Sequence, residues 1–256
     1  MKFNKLRLYG CAGLILVLTS LYACSGENIQ HERQMAEATR DIGEAYMRQG
    51  DYTAALRELI KAEKMNPEDP FVHNDLGLCY MYKKRIPDAI AHFKKAIALK
   101  ASYTPARNNL GTAYLAAKSW DAAIAVFKEI TRDVLYATPH YPLSNLGLAY
   151  YHKGEYRTAL GYYKDALKIQ PDFVPALLGA GRAYVAMNQG RLALHYLKEA
   201  ARLAPKIADI HFSLAEAYLL MGHTDQARMA YETVIDLAPP ESELANKAKQ
   251  RLGAIR

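Results

Sequence analysis

The sequence predicts an all-α array of stacked helical hairpins, and three observations carry that prediction. A skeleton of small and large residues recurs in six copies, 34 residues apart in all but one interval. Its opening position holds Gly43, Gly77, Gly111, Gly147, Gly181 and Ala215, and a tyrosine follows three residues later in every copy, from Tyr46 to Tyr218. Twelve residues after the opening position stands an alanine, again in all six: Ala55, Ala89, Ala123, Ala159, Ala193 and Ala227. Sixteen after it comes a large residue, Leu59, Phe93, Phe127, Tyr163, Leu197 or Tyr231. Glycine inside a helix costs about 1 kcal/mol relative to alanine, so its recurrence marks places where a partner helix comes close. The alanine supplies the matching small site, and the tyrosine and large residue fill the space around it. A short break of Gly, Lys, Asn or Asp between the two helical patterns makes them antiparallel neighbours.

The chain begins with an address. Residues 1–23 pair the basic Lys2, Lys5 and Arg7 with an apolar run from about Leu8 to Ala23. That run is shorter than the roughly 20 residues a bilayer-spanning helix needs, so it reads as a secretory signal. Its end, Leu21-Tyr22-Ala23-Cys24, resembles the lipobox of bacterial lipoproteins, although Tyr22 is bulkier than the usual residue there. The resemblance implies a diacylglycerol thioether on Cys24, cleavage before it and acylation of the new amino terminus with palmitate-type chains. Several acyl chains on one residue anchor stably where one does not. The alternatives are an uncleaved anchor or an ordinary signal cut elsewhere. Ser25 in place of an aspartate favours, by the same analogy, the periplasmic face of the outer membrane of a Gram-negative bacterium. Residues 24–35 form the lipidated cysteine and a polar tether.

Loss of the three basic residues with the signal takes the formal net charge from +7 to +4, because no acidic residue precedes Cys24. That is too mild for a nucleic-acid partner, and Lys83-Lys84-Arg85 and Lys94-Lys95 read as solvated helix faces rather than a phosphate-binding stripe. With 51% hydrophobic and 23% charged residues, the rest of the chain is expected to fold.

Over residues 36–241 the pattern resembles the tetratricopeptide repeat. The units run 36–69, 70–103, 104–139, 140–173, 174–207 and 208–241, and the resemblance implies a right-handed superhelical solenoid. The family's first-helix tryptophan is absent, its place taken by Thr39, His73, Arg107, Leu143, Leu177 and His211. The closing proline is kept at Pro67, Pro171, Pro205 and Pro239 but is Ala101 and Leu135 in the second and third copies. Residues 242–256, with Leu244, Ala248 and Leu252 between charges, read as a capping helix. Cys11 leaves with the signal. Cys79 aligns with Ala45, Ala113, Ala149, Ala183 and Ala217, so it is expected to be a small buried hydrophobe rather than a redox group.

The interval between Gly111 and Gly147 is 36 residues, with the surplus near 133–142. The second helix of the third repeat is expected to be extended or kinked there, limited by Pro139 and Pro142. The surplus is either a tolerated insertion or a device that reshapes the groove. The junction, with Asp133, Leu135 and Tyr136 followed by Asn145, Leu146 and Gly147, resembles the type IV pilus biogenesis lipoproteins called pilotins, the PilF, PilW and Tgl group. That resemblance spans essentially the whole chain. It implies a secretin partner, the ring through which pili cross the outer membrane.

No catalytic constellation is present. CxxC, HExxH and GxSxG are missing, and the eight histidines lack metal-ligand spacing. Gly179-Ala180-Gly181 follows no strand pattern and reads as helix packing. The expectation is therefore a non-enzyme without metal, with no cofactor beyond the lipid on Cys24, no nucleic acid and no small-molecule substrate. In this fold the first helices line a concave face, at positions three before, one after and four after the glycine. These are Asn74, Leu78 and Met81, then Asn108, Thr112 and Leu115, then Ser144, Leu148 and Tyr151, with Tyr82 and Tyr141 nearby. Such a set suits an amphipathic helix or an extended apolar segment. The favoured function is to bind, localise and help assemble the secretin. The alternative is a general periplasmic scaffold, an adaptor for a protease or for outer-membrane protein assembly.

Overall fold

The computed structural model describes residues 30–132 and 137–255. The signal segment, Cys24, Ser25, Asp133, Leu135 and Tyr136 lie outside them. Thirteen helices and no strand occur among the described residues. They pair in chain order: α1 (30–48) with α2 (Tyr52–Met65), α3 (Pro70–Tyr82) with α4 (Ile86–Leu99), and α5 (Thr104–Ala116) with α6 (Trp120–Thr131). Then come α7 (His140–His152) with α8 (Tyr156–Ile169), and α9 (Val174–Ala186) with α10 (Gly190–Leu203). The last pair is α11 (Ala208–Leu220) with α12 (Thr224–Leu237), followed by α13 (Glu243–Ala254). No helix of the described residues is long and apolar enough to cross a membrane.

One turn joins the helices of every pair. The residue seven after the glycine position is left-handed in all six copies: Gly50, Gly154 and Gly222 at φ between 72 and 79°, Lys84, Lys118 and Asn188 between 56 and 59°. The next residue's N–H then donates to the carbonyl of the repeat tyrosine at 2.9 to 3.0 Å, as from Asp51 to Tyr46 and from His223 to Tyr218. This is the left-handed helix stop in which a backbone N–H reaches back to satisfy an orphan carbonyl. Glycine enters that conformation freely, whereas lysine does so against a steric penalty.

The close approach inferred from the glycines is real. A Cβ added at Gly43, Gly77, Gly111 or Gly147 would lie 2.5 to 2.8 Å from the side chain sixteen residues on, namely Leu59, Phe93, Phe127 or Tyr163. At Gly181 it would come closer still to Leu197. Tyr163 is pressed from both sides, because Gly179 on the following helix also leaves no room for a Cβ against its ring. Burying a ring this large is worth roughly 2–3 kcal/mol, and both glycines are needed to seat it.

Contacts gather into two compact units, one ending at Ala106 and one beginning at Arg107. The first has a core of Ala55, Leu59, Ala62, Val72, Leu76 and Cys79. The Cys79 thiol is free and fully buried, and that burial pushes it up to about 12, consistent with an inert small hydrophobe. In the second unit, one cluster forms around Phe127, Ile130, Leu146 and Tyr163, and another around Leu197, Ile210, Tyr231 and Val234. The C-terminal α13 packs on α11 and α12, is capped by Ser242, and buries Ala245 and Ala248. Leu244 and Leu252 are only partly buried against the same cluster.

Two expectations need correction. The second helix of the third repeat is not extended: α6 has 12 residues where every other second helix has 14, and it stops at Thr131. Pro139 and Pro142 do not limit it. Pro139 is the N-cap of α7 and Pro142 lies in its first turn, where a missing N–H costs nothing. At the other end, residues 30–35, assigned to the tether, are already helical and continuous with α1.

These contacts make opposite predictions for two glycines. Gly179→Ala should lower second-unit stability by about 1–3 kcal/mol, since the added methyl meets a ring that cannot retreat. Gly161, on α8 with nothing near its Cβ position, should give up to about 1 kcal/mol of stabilisation on change to alanine. Urea unfolding followed by helical circular dichroism checks both. A shift of the same sign for the two would contradict the packing described.

Candidate binding groove

On the second unit the first helices of the fourth and fifth repeats flank an open groove of about 620 Å³. Its α7 side carries Ser144, Leu148 and Tyr151, and its α9 side Leu178, Gly179 and Arg182, with Tyr163 of α8 contributing although only 1% exposed. Asn145, His152 and Pro175 complete the lining, which is mostly apolar. A second depression of about 730 Å³ shares Tyr151 and Arg182 and continues past Val185, Phe212 and Glu216 to Leu244 and Lys247 of α13. Together they form one track, apolar at the α7 end and mixed in charge toward α13.

Arg182 sits where the two parts meet. Its Nη2 donates to Asp209 Oδ1 at 2.5 Å and its Nε to Ser213 Oγ at 3.1 Å, while Ser213 donates to the Asp209 carbonyl at 2.8 Å. Both charged side chains remain partly exposed, so the pair adds little stability, about 0–1 kcal/mol. What it does is fix the direction of a guanidinium that would otherwise sweep the groove. Glu216 is held by the Tyr231 hydroxyl, which donates to it, and by Arg251 at 3.2 Å. His152 stacks on Trp120 with ring centroids 4.6 Å apart, and burial together with Arg182 and Lys118 lowers its pKa. Burial raises the Tyr151 phenol.

Of the residues singled out from sequence, the structure brings Ser144, Leu148 and Tyr151 together in this groove. Tyr141 is not part of its lining; 49% exposed, it packs edge-on to Phe173 at 5.0 Å and against His140 at 4.5 Å. Thr112 is exposed and spends its hydroxyl on the Asn108 carbonyl at 3.0 Å. Leu115 packs on the second unit's core. The Asn108 Oδ1 is buried without a hydrogen-bond partner among the described residues. Asn74, Leu78, Met81 and Tyr82 belong to the first unit. Asn74 is buried and donates to Asp75 Oδ1 at 3.2 Å, and Tyr82 stacks on Tyr52 with centroids 4.1 Å apart.

Sequence reasoning missed Leu178, Arg182 and Val185 of the fifth repeat and Phe212 and Glu216 of the sixth. The signal was present, since these occupy the same offsets from Gly181 and Ala215 as Ser144, Leu148 and Tyr151 do from Gly147. A further grouping was not visible in one dimension. Glu63, His73 and His92, 29 residues from end to end, converge in the first unit.

Beside Asn74, the carboxyl of Asp75 is buried among α1 and α3 side chains. Its pKa is pushed up to about 7, first by burial and then by the nearby Glu44. Arg40 pulls the other way, but its Nε stands 3.8 Å from Oδ2 without a hydrogen bond. Burial prevails.

Comparison with known proteins agrees with the helical-repeat fold. One family model, described as a tetratricopeptide repeat, matches residues 40–104 and 178–242; two others of the same description match 80–134 and 141–173. Among curated proteins none matches by sequence. Among solved structures, PilW, described as a widely conserved type IV pilus biogenesis factor, superposes with a TM-score of 0.75 at 23% identity. The match covers 84% of this chain and 99% of that one. PilF of Pseudomonas aeruginosa gives 0.71 at 20% identity, covering 86% and 99%. The Cut9 and Hcn1 hetero-tetramer of the APC/C also gives 0.75, at 18% identity, covering 91% of this chain and 46% of that one. At these identities the likeness is one of fold.

The Asp75 environment sets a pH dependence. Between about pH 4 and pH 7 the folded chain keeps a proton that the unfolded chain has released, so stability falls as pH rises through that window. Asp75→Asn should remove this contribution, a slope of at most about 1.4 kcal/mol per pH unit. Denaturation midpoints of both proteins at pH 5 and pH 8 test it. Equal slopes would show that Asp75 ionises normally in the fold.

Proposed function

The chain belongs to the tetratricopeptide repeat family, and we propose that it is a lipid-anchored adaptor of the outer membrane that binds a secretin subunit for type IV pilus biogenesis. The observation that carries the binding role is the groove along α7 and α9. Its apolar side chains stand partly in water with no neighbour among the described residues to cover them, while Arg182 is already held in place. A preorganised groove of this kind gains affinity because little side-chain freedom remains to be lost on binding. An amphipathic helix or extended apolar segment would displace water from Leu148, Tyr151 and Leu178, with Arg182 at the polar edge. The reading assigns the chain no catalytic step and no cofactor beyond the lipid on Cys24.

Two features support the pilus assignment. The likeness to PilW and PilF runs over 99% of each of those chains rather than over one or two repeats. The lipobox-like Leu21-Tyr22-Ala23-Cys24 would give the acyl anchor that draws a bound subunit to the periplasmic face of the outer membrane. The equally high TM-score with Cut9 and Hcn1 favours a second reading, a general periplasmic adaptor, because this fold serves assemblies unrelated to pili.

Deleting the gene should abolish secretin multimers in the outer membrane. Cys24→Ala should still bind the secretin subunit but fail to localise it. Leu148→Arg should leave helix content and membrane location unchanged while weakening binding about tenfold or more. Normal multimers in the deletion strain would overturn the pilus role. Normal binding by the folded Leu148→Arg protein would move the site elsewhere. A pull-down that yields proteases or barrel-assembly factors and no secretin would select the second reading.

A further inference from the structure

We propose that the first unit holds a divalent transition-metal site of the zinc type, formed by Glu63 of α2, His73 of α3 and His92 of α4. The donor atoms of all three lie within 4.8 Å of one another. His73 Nδ1 is 3.2 Å from His92 Nδ1 and 3.6 Å from Glu63 Oε1. A tetrahedral ion with bonds of about 2.0–2.2 Å sets its ligand atoms roughly 3.3–3.6 Å apart. The 3.6 Å edge already meets that requirement and the 3.2 Å edge lies just short of it.

The tautomer of His73 supports the assignment. Its Nε2 lies 2.9 Å from the Pro67 carbonyl, which can only accept, so Nε2 carries the hydrogen. In the neutral ring the Nδ1 lone pair is then directed at His92 and Glu63. A histidine that donates one ring N–H to a backbone carbonyl and offers the other nitrogen is the arrangement that orients and strengthens a metal ligand. His73 is 4% exposed, which fixes the ring, while the Glu63 side chain is 31% exposed and leaves a side open for water as fourth ligand. His92 is braced by the Tyr80 ring, stacked at 5.2 Å.

The repeat itself provides the internal comparison. The same three positions recur wherever one repeat meets the next. They hold Thr131, Leu143 and Tyr162 between the third and fourth repeats, and Leu167, Leu177 and Tyr196 between the fourth and fifth. Those sets fill space. His211 stands alone at the last junction, where its Nε2 contacts the Pro205 carbonyl at 2.7 Å. The histidine-to-carbonyl bond is therefore a packing device of the repeat; the addition of His92 and Glu63 turns it into a ligand set. Imidazole with carboxylate suits Zn²⁺ and its neighbours in the series rather than Ca²⁺ or Mg²⁺. Bound there, the ion would tie the second helix of one repeat to both helices of the next.

Titration of the purified full-length protein in detergent with Co²⁺ tests the site. One equivalent should give the intense visible absorption of a four-coordinate ion and be displaced by Zn²⁺. Zn²⁺ should raise the thermal midpoint, since an ion bound only by the folded state stabilises it. Glu63→Gln and His92→Gln should each weaken Zn²⁺ binding about 10- to 100-fold or more, whereas His211→Gln should not. Both of the first two changes fall on incompletely buried side chains, so they remain informative if His73→Gln fails to fold. Absence of the Co²⁺ absorption, or equal Zn²⁺ affinity in wild type and both variants, would reduce the cluster to a His73–His92 hydrogen bond and overturn the proposal.

Discussion

Everything in this molecule depends on one contact, the seating of a large side chain on a helix that has no Cβ at that point. In five repeats it is glycine against the residue sixteen positions on. In the sixth, Ala215 takes the glycine's place, and Tyr231 is still fully buried. Because the contact closes the hairpin, the orientation of the whole first helix follows from it. Residues two after the glycine, Cys79 and Ala113 to Ala217, turn into the core and are completely buried. Residues one and four after it are left on the opposite side. The groove is a consequence of how the hairpin closes.

Much of this was legible in one dimension because each rule is local and repeated. The helix pairs, the small-to-large contact and the buried Cys79 all lie at fixed offsets from six marker positions. The break between helices could be seen as a run of Gly, Lys, Asn or Asp, although its left-handed backbone could not. What escaped sequence reasoning was the identity of the cover over each position. Asn74 and Ser144 share an offset, yet Asn74 is spent on Asp75 whereas Ser144 lines a groove. Tyr141 has the character of a groove residue, but Phe173 and His140 engage it. The surplus near 133–142 suggested a helix either extended or followed by a kink, because a count of residues cannot tell where hydrogen bonding stops. The structure ends α6 two residues early instead.

The array also explains where polar groups are tolerated. A helical-repeat stack must keep its small-to-large contact and its turn, but the faces between successive hairpins are constrained only in volume. The first unit uses that freedom for charge. Asp75 is kept beside Glu44 and Arg40, and Glu63, His73 and His92 occupy a junction whose equivalent between the fourth and fifth repeats holds Leu167, Leu177 and Tyr196. The second unit uses it for an open apolar groove with one oriented guanidinium. Function in such a fold is written at the offsets the closure leaves free, and each unit has filled them with different chemistry.

The groove rests on α7 and α9 with the polar lock Arg182–Asp209–Ser213, and none of those residues shares a side chain with the histidine cluster. Residues without common partners contribute independently. Loss of metal binding would therefore leave the adaptor role intact, and relocation of the binding site would leave the metal site intact. The proposed acyl anchor would be independent of both, since it would act through lipid. A chain so divided carries one requirement in common. The glycine contacts must hold, because a hairpin that opens displaces the offsets on both of its faces at once.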